Sequence, residues 1–417
     1  MINTHQQSAA VIGAGIIGVC TAIELQRRGI QVSLIEQETP AAGASSGNCG
    51  LLAIGEVVPF SKPGAMKKIP GWLLNPEGPL VIRPHYFMKL IPWFARFLMA
   101  AKPGRVAEIG EGLAALTRQA ASSYEELLAI TGIKDMLREN EALLVYDHEN
   151  EFEQDRLTWK MKADLGFEFE RLSPEQLKII EPALADDFAC AVLLKGWRSF
   201  ADPKRLVDQL VEYFVAEGGK LLQAEVQGFD CRDGEVKALR LAGNENYTAD
   251  HFVVAAGAWS GRLTRLLGDK LPVEALAGYA TTVSQSEISL QHPVIYTNGG
   301  FVVTPMEHGL RIAGTSEMGG LHHSPNFSRA KIIAKKALRL FPGLKNNQGE
   351  EQMGFRSFMP DSLPVIDKAS VYSNVAYAFG HGQIGLTTGA ITGKLVAQLM
   401  TNETTSVDMQ PYSVKRF

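Results

Sequence analysis

Short apolar runs alternate along the chain with glycine-bounded amphipathic stretches. The first run, 9–12, predicts a buried strand; a helix over 17–28 closed by Gly29 and a strand over 31–35 ending at Glu36 follow. Short strand–helix–strand connections favour a parallel sheet. From Gly43 to Gly64 the periodicity dissolves into an irregular Gly- and Ser-rich stretch. Pro84 to Gly132 reads as mainly helical, with Pro92 and Pro103 as breakers. A strand is expected over 142–146, then helices over 150–165 and 173–180, the second with Ser173 as N-cap and Pro174 at its first position. Asp202-Pro203 opens a helix to about Glu217, stopped by Gly218-Gly219. Strands are expected over 221–229, 236–241 and 251–255, then in a strand-rich stretch from Val273 to Thr315, where 279–283 alternates and 301–304 follows two glycines. A helix over 328–341, a strand over 375–379 and a helix from Gly380-His381-Gly382 to about Met400 close the pattern.

With 417 residues, two interleaved modules are expected. One takes 1–55, 198–265 and 350–417; the other takes 56–197 and 266–349. Apolar residues are 46% and charged residues 21%, ordinary for a globular protein. A net charge of −4 with scattered Lys and Arg argues against a nucleic-acid partner, which would want a basic face. Cys20, Cys49, Cys190 and Cys231 are widely separated, which fits a reducing compartment. Residues 1–9 lack a basic signal-type region and no apolar run approaches a membrane span, so a cytoplasmic protein is expected.

Gly13, Gly15 and Gly18 follow a strand and open a helix. In that context the first glycine makes the turn, the second admits a pyrophosphate and the third lets helix and strand pack. The helix N-terminus favours the phosphates electrostatically. Glu36, 18 residues after Gly18, suits a ribose diol. Gly380-His381-Gly382-Gln383-Ile384-Gly385 repeats the spacing, but the chain ends soon after its helix, leaving no strand to carry a second acidic ribose contact. It reads instead as a helix end aimed at a reduced flavin ring. Between these motifs, 253–259 is an apolar strand ending in small residues, against which a cofactor can lie.

With these residues in place the chain resembles the D-amino-acid oxidase/glycine oxidase superfamily of flavoproteins, and among them the bacterial D-amino-acid dehydrogenases, including the D-hydroxyproline type. Further matching stretches are 44–50, 301–307 with 311–317, 354–356 with 360–366, and 380–393. The resemblance implies an α/β fold: a Rossmann-type, glutathione-reductase-like FAD domain interleaved with an α+β substrate domain whose sheet is mainly antiparallel. It implies FAD contacts at Gly13, Gly15, Ile16, Ile17, Gly18, Glu36, Gln37, Ser45, Ser46, Asn48, Cys49, Gly50, Leu51, Val226, Ala256, Gly257 and Trp259, and again at Gly380, His381, Gly382, Gln383, Ile384, Gly385, Leu386 and Thr387. It assigns Arg356 to the substrate carboxylate, a task suited to a bidentate guanidinium. Departures stand at Ala277, where many of these enzymes carry an arginine, and at Ser357 and Ser362.

The implied reaction is hydride transfer from an amino-acid Cα to flavin N5, followed by imine hydrolysis, with electrons passed to a quinone, a carrier protein or O2. An oxygen-using glycine or sarcosine oxidase, and a flavin subunit inactive outside a complex, are the competing readings. Tyr279 is read either as a second substrate contact or as strand packing. His381 stands either near the flavin or in a purely backbone role. His322-His323 reads as a solvated loop rather than a metal site, and Cys49 as a buried thiol rather than a covalent flavin link. The aromatic, basic stretch 87–99 reads as a cap helix interrupted at Pro92 rather than a peripheral membrane contact.

Overall fold

The computed structural model describes residues 6–62, 71–72, 75–284, 286–346 and 348–417. The last two residues of the expected irregular stretch, 63–64, lie outside them. Strand Ser8–Ile12, helix Ile16–Arg27 and strand Gln31–Glu36 form the anticipated parallel unit, with Ile12 opposite Ile35. Around it a six-stranded sheet runs Lys220–Gln223, Gln31–Glu36, Ser8–Ile12, His251–Val254, Val375–Phe379, Val365–Lys368. Its pairs are parallel except the last. Helix Pro203–Ala216 packs on this sheet because its buried residues fall at 203, 206, 207, 210, 211 and 214, one face of a helix.

A nine-stranded sheet builds the other module. Its order is Glu350–Phe358, Glu274–Val283, Gly309–Met318, Phe301–Met306, Val294–Tyr296, Ala142–Tyr146, Cys190–Leu194, Phe169–Leu172, with Leu80–Ile82 beside Gly309–Met318. All its pairs are antiparallel except the two made by Val294–Tyr296 with Ala142–Tyr146 and by Leu80–Ile82. The expected seam at 350 falls at the start of a strand that belongs wholly to this sheet.

Four expectations change. The strand expected over 221–229 is two, Lys220–Gln223 in the six-stranded sheet and Val226–Arg232 in a separate antiparallel sheet. The helix expected over 150–165 breaks at Asp155 into Glu149–Gln154 and Arg156–Asp164. Pro92 does not interrupt its helix: Phe87–Ala100 runs through it. Pro92 and Met88 are both exposed, so water can solvate the Met88 carbonyl that proline cannot serve. Finally, the last helix begins at Gly389, and 381–388 form turns.

Candidate active site

The turn after Ser8–Ile12 shows why glycine stands at its ends. Gly13 has φ +106°, and a Cβ there would lie 2.6 Å from the Ala255 carbonyl oxygen. A Cβ on Gly18 would meet the Gly13 carbonyl oxygen at 1.8 Å. Helix Ile16–Arg27 therefore starts pressed onto the strand ends. Its N-cap, Gly15, supplies no capping side chain, and no acidic residue stands in its first turn. The Ile16 amide donates to Ser45 Oγ at 3.2 Å. Glu36 accepts from the Ala14 amide at 2.8 Å and from the Glu38 amide at 3.1 Å. Those two bonds hold its carboxylate at the cavity mouth.

A cavity of about 1050 Å³ opens from this turn and reaches the nine-stranded sheet. That is at the upper end for small-molecule sites. Gly13, Gly15, Ile16, Ile17, Glu36, Gln37, Ser45, Asn48, Cys49, Leu51, Val226, Ala256, Gly257 and Trp259 line it. So do His381, Gly382, Gln383, Ile384, Gly385, Leu386 and Arg356. The two glycine motifs, 362 residues apart at their closest, thus share one wall.

Other expected residues stand off the wall. Gly18 is packed beneath the turn. Ser46 turns its hydroxyl toward the Gly43 carbonyl at 3.4 Å. Gly50 donates to Asn48 Oδ1 at 2.7 Å, and its carbonyl accepts from the Phe200 amide at 2.7 Å. The Gly380 amide donates to Ser357 Oγ at 3.1 Å. Thr387 is buried; its Oγ1 accepts from the Ala53 amide at 3.0 Å and donates to the Leu51 carbonyl at 3.3 Å. Tyr279 is buried too: its hydroxyl donates to Glu317 at 2.7 Å and accepts from the Asn326 amide at 3.1 Å. Of its two readings, strand packing is the one the geometry supports.

Arg356 crosses the floor of the cavity. Its Nη1 donates to the Thr315 carbonyl at 3.0 Å. Its guanidinium lies over Gly278, where a Cβ would come within 2.5 Å of Nη2. The register between Glu274–Val283 and Gly309–Met318 slips between Ala277 and Tyr279, a bulge that opens this place. Thr315 sits at φ +50°, strained for a β-branched residue, and so presents its carbonyl to Arg356. Among the described residues Arg356 has no carboxylate partner; the nearby titratable group is Cys49. Burial pulls the guanidinium below its ordinary pKa and pushes the Cys49 thiol up.

His381 is buried, and burial pushes its imidazole down to about 3. Its Nε2 lies 3.1 Å from Thr392 Oγ1. It is a neutral wall residue, unsuited to proton transfer near neutral pH. Of the histidine pair, His322 reaches the cavity rim, and His323 Nδ1 lies 3.1 Å from the Ser324 carbonyl.

Two positioning residues escaped the sequence reading. Buried Arg311 donates through Nη1 to the Ser46 and Asn48 carbonyls at 2.8 and 3.0 Å, tying the 44–50 loop to the nine-stranded sheet. Ser357 holds Gly380 through its hydroxyl and Gly382 through its carbonyl, at 2.7 Å. The available signal for Arg311 was a lone cation inside the apolar run 310–313.

A parallel sheet with a glycine turn at a helix N-terminus, joined through one cavity to a second sheet whose Arg356 has no carboxylate partner among the described residues, is the arrangement of a dinucleotide-dependent oxidoreductase. The chain belongs to the DAO family, FAD-dependent oxidoreductases, whose profile matches residues 8–399. The D-amino-acid oxidase of Bradyrhizobium diazoefficiens is 33% identical over 415 residues, 98% of each chain. Among solved structures, glycine oxidase from Geobacillus kaustophilus superposes with a TM-score of 0.78 at 23% identity, covering 99% of this chain and 100% of that one. L-proline dehydrogenase from P. horikoshii gives 0.74 at 20% identity, covering 99% and 98%. These two likenesses concern the fold. FAD fits the residues present: the glycine turn has no Cβ where a diphosphate would approach, and the cavity of about 1050 Å³ is mainly apolar and is lined by both that turn and Arg356.

Proposed function

We propose that this enzyme oxidises a D-amino acid, including the proline or hydroxyproline type, to the imino acid, which water then hydrolyses where the imine is free to open. The observation that carries this reading is Arg356, a cation on the cavity floor without a carboxylate partner among the described residues. A substrate carboxylate satisfies it bidentately and at low dielectric. The named activity of the 33% identical relative supports the amino-acid class and the D configuration.

FAD, when bound, supplies the acceptor for the hydride leaving Cα. The chain's own residues orient and shield. Arg356, braced by the Thr315 carbonyl, fixes the carboxylate end of the substrate. Phe358, two residues on and so on the same strand face, continues the wall with Leu276 and Met318. Trp93, Phe94 and Phe97 close it. This apolar wall suits a ring or an apolar side chain and excludes water from the reacting carbon. Glycine or sarcosine would leave it unfilled, which counts against a glycine-type oxidase. We propose further that the six-stranded module holds FAD, that the nine-stranded module holds the substrate, and that a quinone or another carrier takes the electrons.

The test is anaerobic mixing of the yellow protein with D- and L-amino acids, glycine, sarcosine and both configurations of proline and hydroxyproline, watching flavin absorbance. Bleaching by D-amino acids or D-proline types is expected. Bleaching by glycine alone, or by none of the panel, overturns the proposal. Peroxide release in air, measured in parallel, would replace the carrier with O2.

A further inference from the structure

Helix Phe87–Ala100 is apolar on two faces. Leu90, Trp93, Phe97 and Ala100 are buried, and the first three pack with Leu276, Met318 and Phe358. On the opposite side Phe87, Met88, Ile91, Leu98 and Met99 are 46–71% exposed. At 100° per residue these five fall within one stripe, with exposed Pro92 and Ala95 filling it. A surface helix ordinarily carries polar residues there, and a contiguous apolar stripe marks an interaction site.

Charge indicates what covers it. From Gly78 to Ala107 the chain has Arg83, Lys89, Arg96, Lys102 and Arg105 and no Asp or Glu, although the whole chain carries −4. Arg83 pairs with Glu317 and Arg105 with Glu108. Lys89, Arg96 and Lys102 have no acidic partner among the described residues. Lys89 and Arg96, seven residues apart, line one edge of the stripe. Lys102 follows the helix end.

From this geometry we propose that the Phe87–Ala100 helix docks the protein on a membrane leaflet rich in anionic phospholipid, its axis lying along the surface. The 14 residues are too few to span a bilayer. Pro92 leaves the exposed Met88 carbonyl without an intrahelical donor, which sets the helix at headgroup depth, where water remains. A second copy of the chain fits the stripe less well, because a two-fold contact would bring the same basic edges together.

The docking assay needs no turnover, so its outcome is independent of the substrate assignment. FAD-loaded protein is floated with vesicles of phosphatidylglycerol and phosphatidylcholine, or of phosphatidylcholine alone, at low and high salt. Retention on the anionic vesicles is expected, weakening with salt. Each basic residue near such a surface is worth about fivefold in affinity. The variant Met88→Ser/Ile91→Ser/Leu98→Ser/Met99→Ser and the variant Lys89→Glu/Arg96→Glu/Lys102→Glu each should lose at least about tenfold. Both should keep the flavin spectrum of the parent, since these side chains are on the outside. Failure of the parent to float, or equal flotation of either variant, overturns the proposal. A dimer that the serine variant dissociates, with no vesicle binding, overturns it in favour of a second copy.

Discussion

His381 is held neutral by its surroundings, its imidazole pushed down to about 3 by burial against an ordinary 6.5. Between these values the unfolded chain binds the proton and the folded chain does not, so stability rises with pH through that window and falls as pH drops from 6.5 toward 3. The slope from this one group is about 1.4 kcal/mol per pH unit. His381→Gln, which keeps a polar group toward Thr392, should flatten the difference in urea midpoint between pH 6.5 and pH 4; an unchanged slope would show that the imidazole is solvated. At the same scale, Arg356→Met removes a charge-assisted bond worth about 1.5–3 kcal/mol, so kcat/KM should fall roughly 10- to 150-fold while FAD retention holds. Steady-state kinetics on the substrate found by bleaching, with the flavin-to-protein ratio, checks both halves.

Helices here are set by their ends as much as by their faces. Asp202 caps Pro203–Ala216, accepting from the Lys204 amide at 2.8 Å and the Arg205 amide at 3.1 Å. Asp202→Ala should cost about 1 kcal/mol in a denaturant titration, without moving the flavin spectrum. Ser173 caps Pro174–Ile180 in the same way, accepting from the Gln176 amide. Both caps were legible in the sequence because capping is local chemistry. Pro92 was misread at this scale for a related reason. Proline removes one bond, and whether that ends a helix depends on whether the freed carbonyl is buried or wet, which no local pattern states.

Across the whole molecule the cavity is the joint between the sheets. Gly15 and Glu36 face it from the six-stranded side, Leu276 and Arg356 from the nine-stranded side. FAD held there, as proposed, would contact only the folded chain and so stabilise it by mass action. At a hundredfold excess over Kd the gain is about 2.7 kcal/mol. Calorimetry of the deflavinated protein should show Tm rising with added FAD and levelling with the logarithm of its concentration. A Tm indifferent to FAD would mean that the two sheets do not close on it.

Residues 8–36, the caps and the strand 142–146 could be read from the sequence because their signals span one or two turns of chain: apolar period, glycine position, a side chain three residues from an amide. The glycine motifs were legible too, as glycines in a recurring spacing, whereas Arg356 was singled out only by the family resemblance. What they face was not. Tyr279 and Thr387 look like site residues by position, yet their hydroxyls are consumed by Glu317 and by the 51–53 backbone. Arg311 looks like an anomaly in a strand, yet it fastens a loop 263 residues earlier. The split of 221–229 between two sheets and the unbroken helix through Pro92 likewise depend on partners far along the chain. Local free energies are written in neighbouring residues; the choice between cavity wall and core is made by contacts at long separation, which only the folded chain brings together.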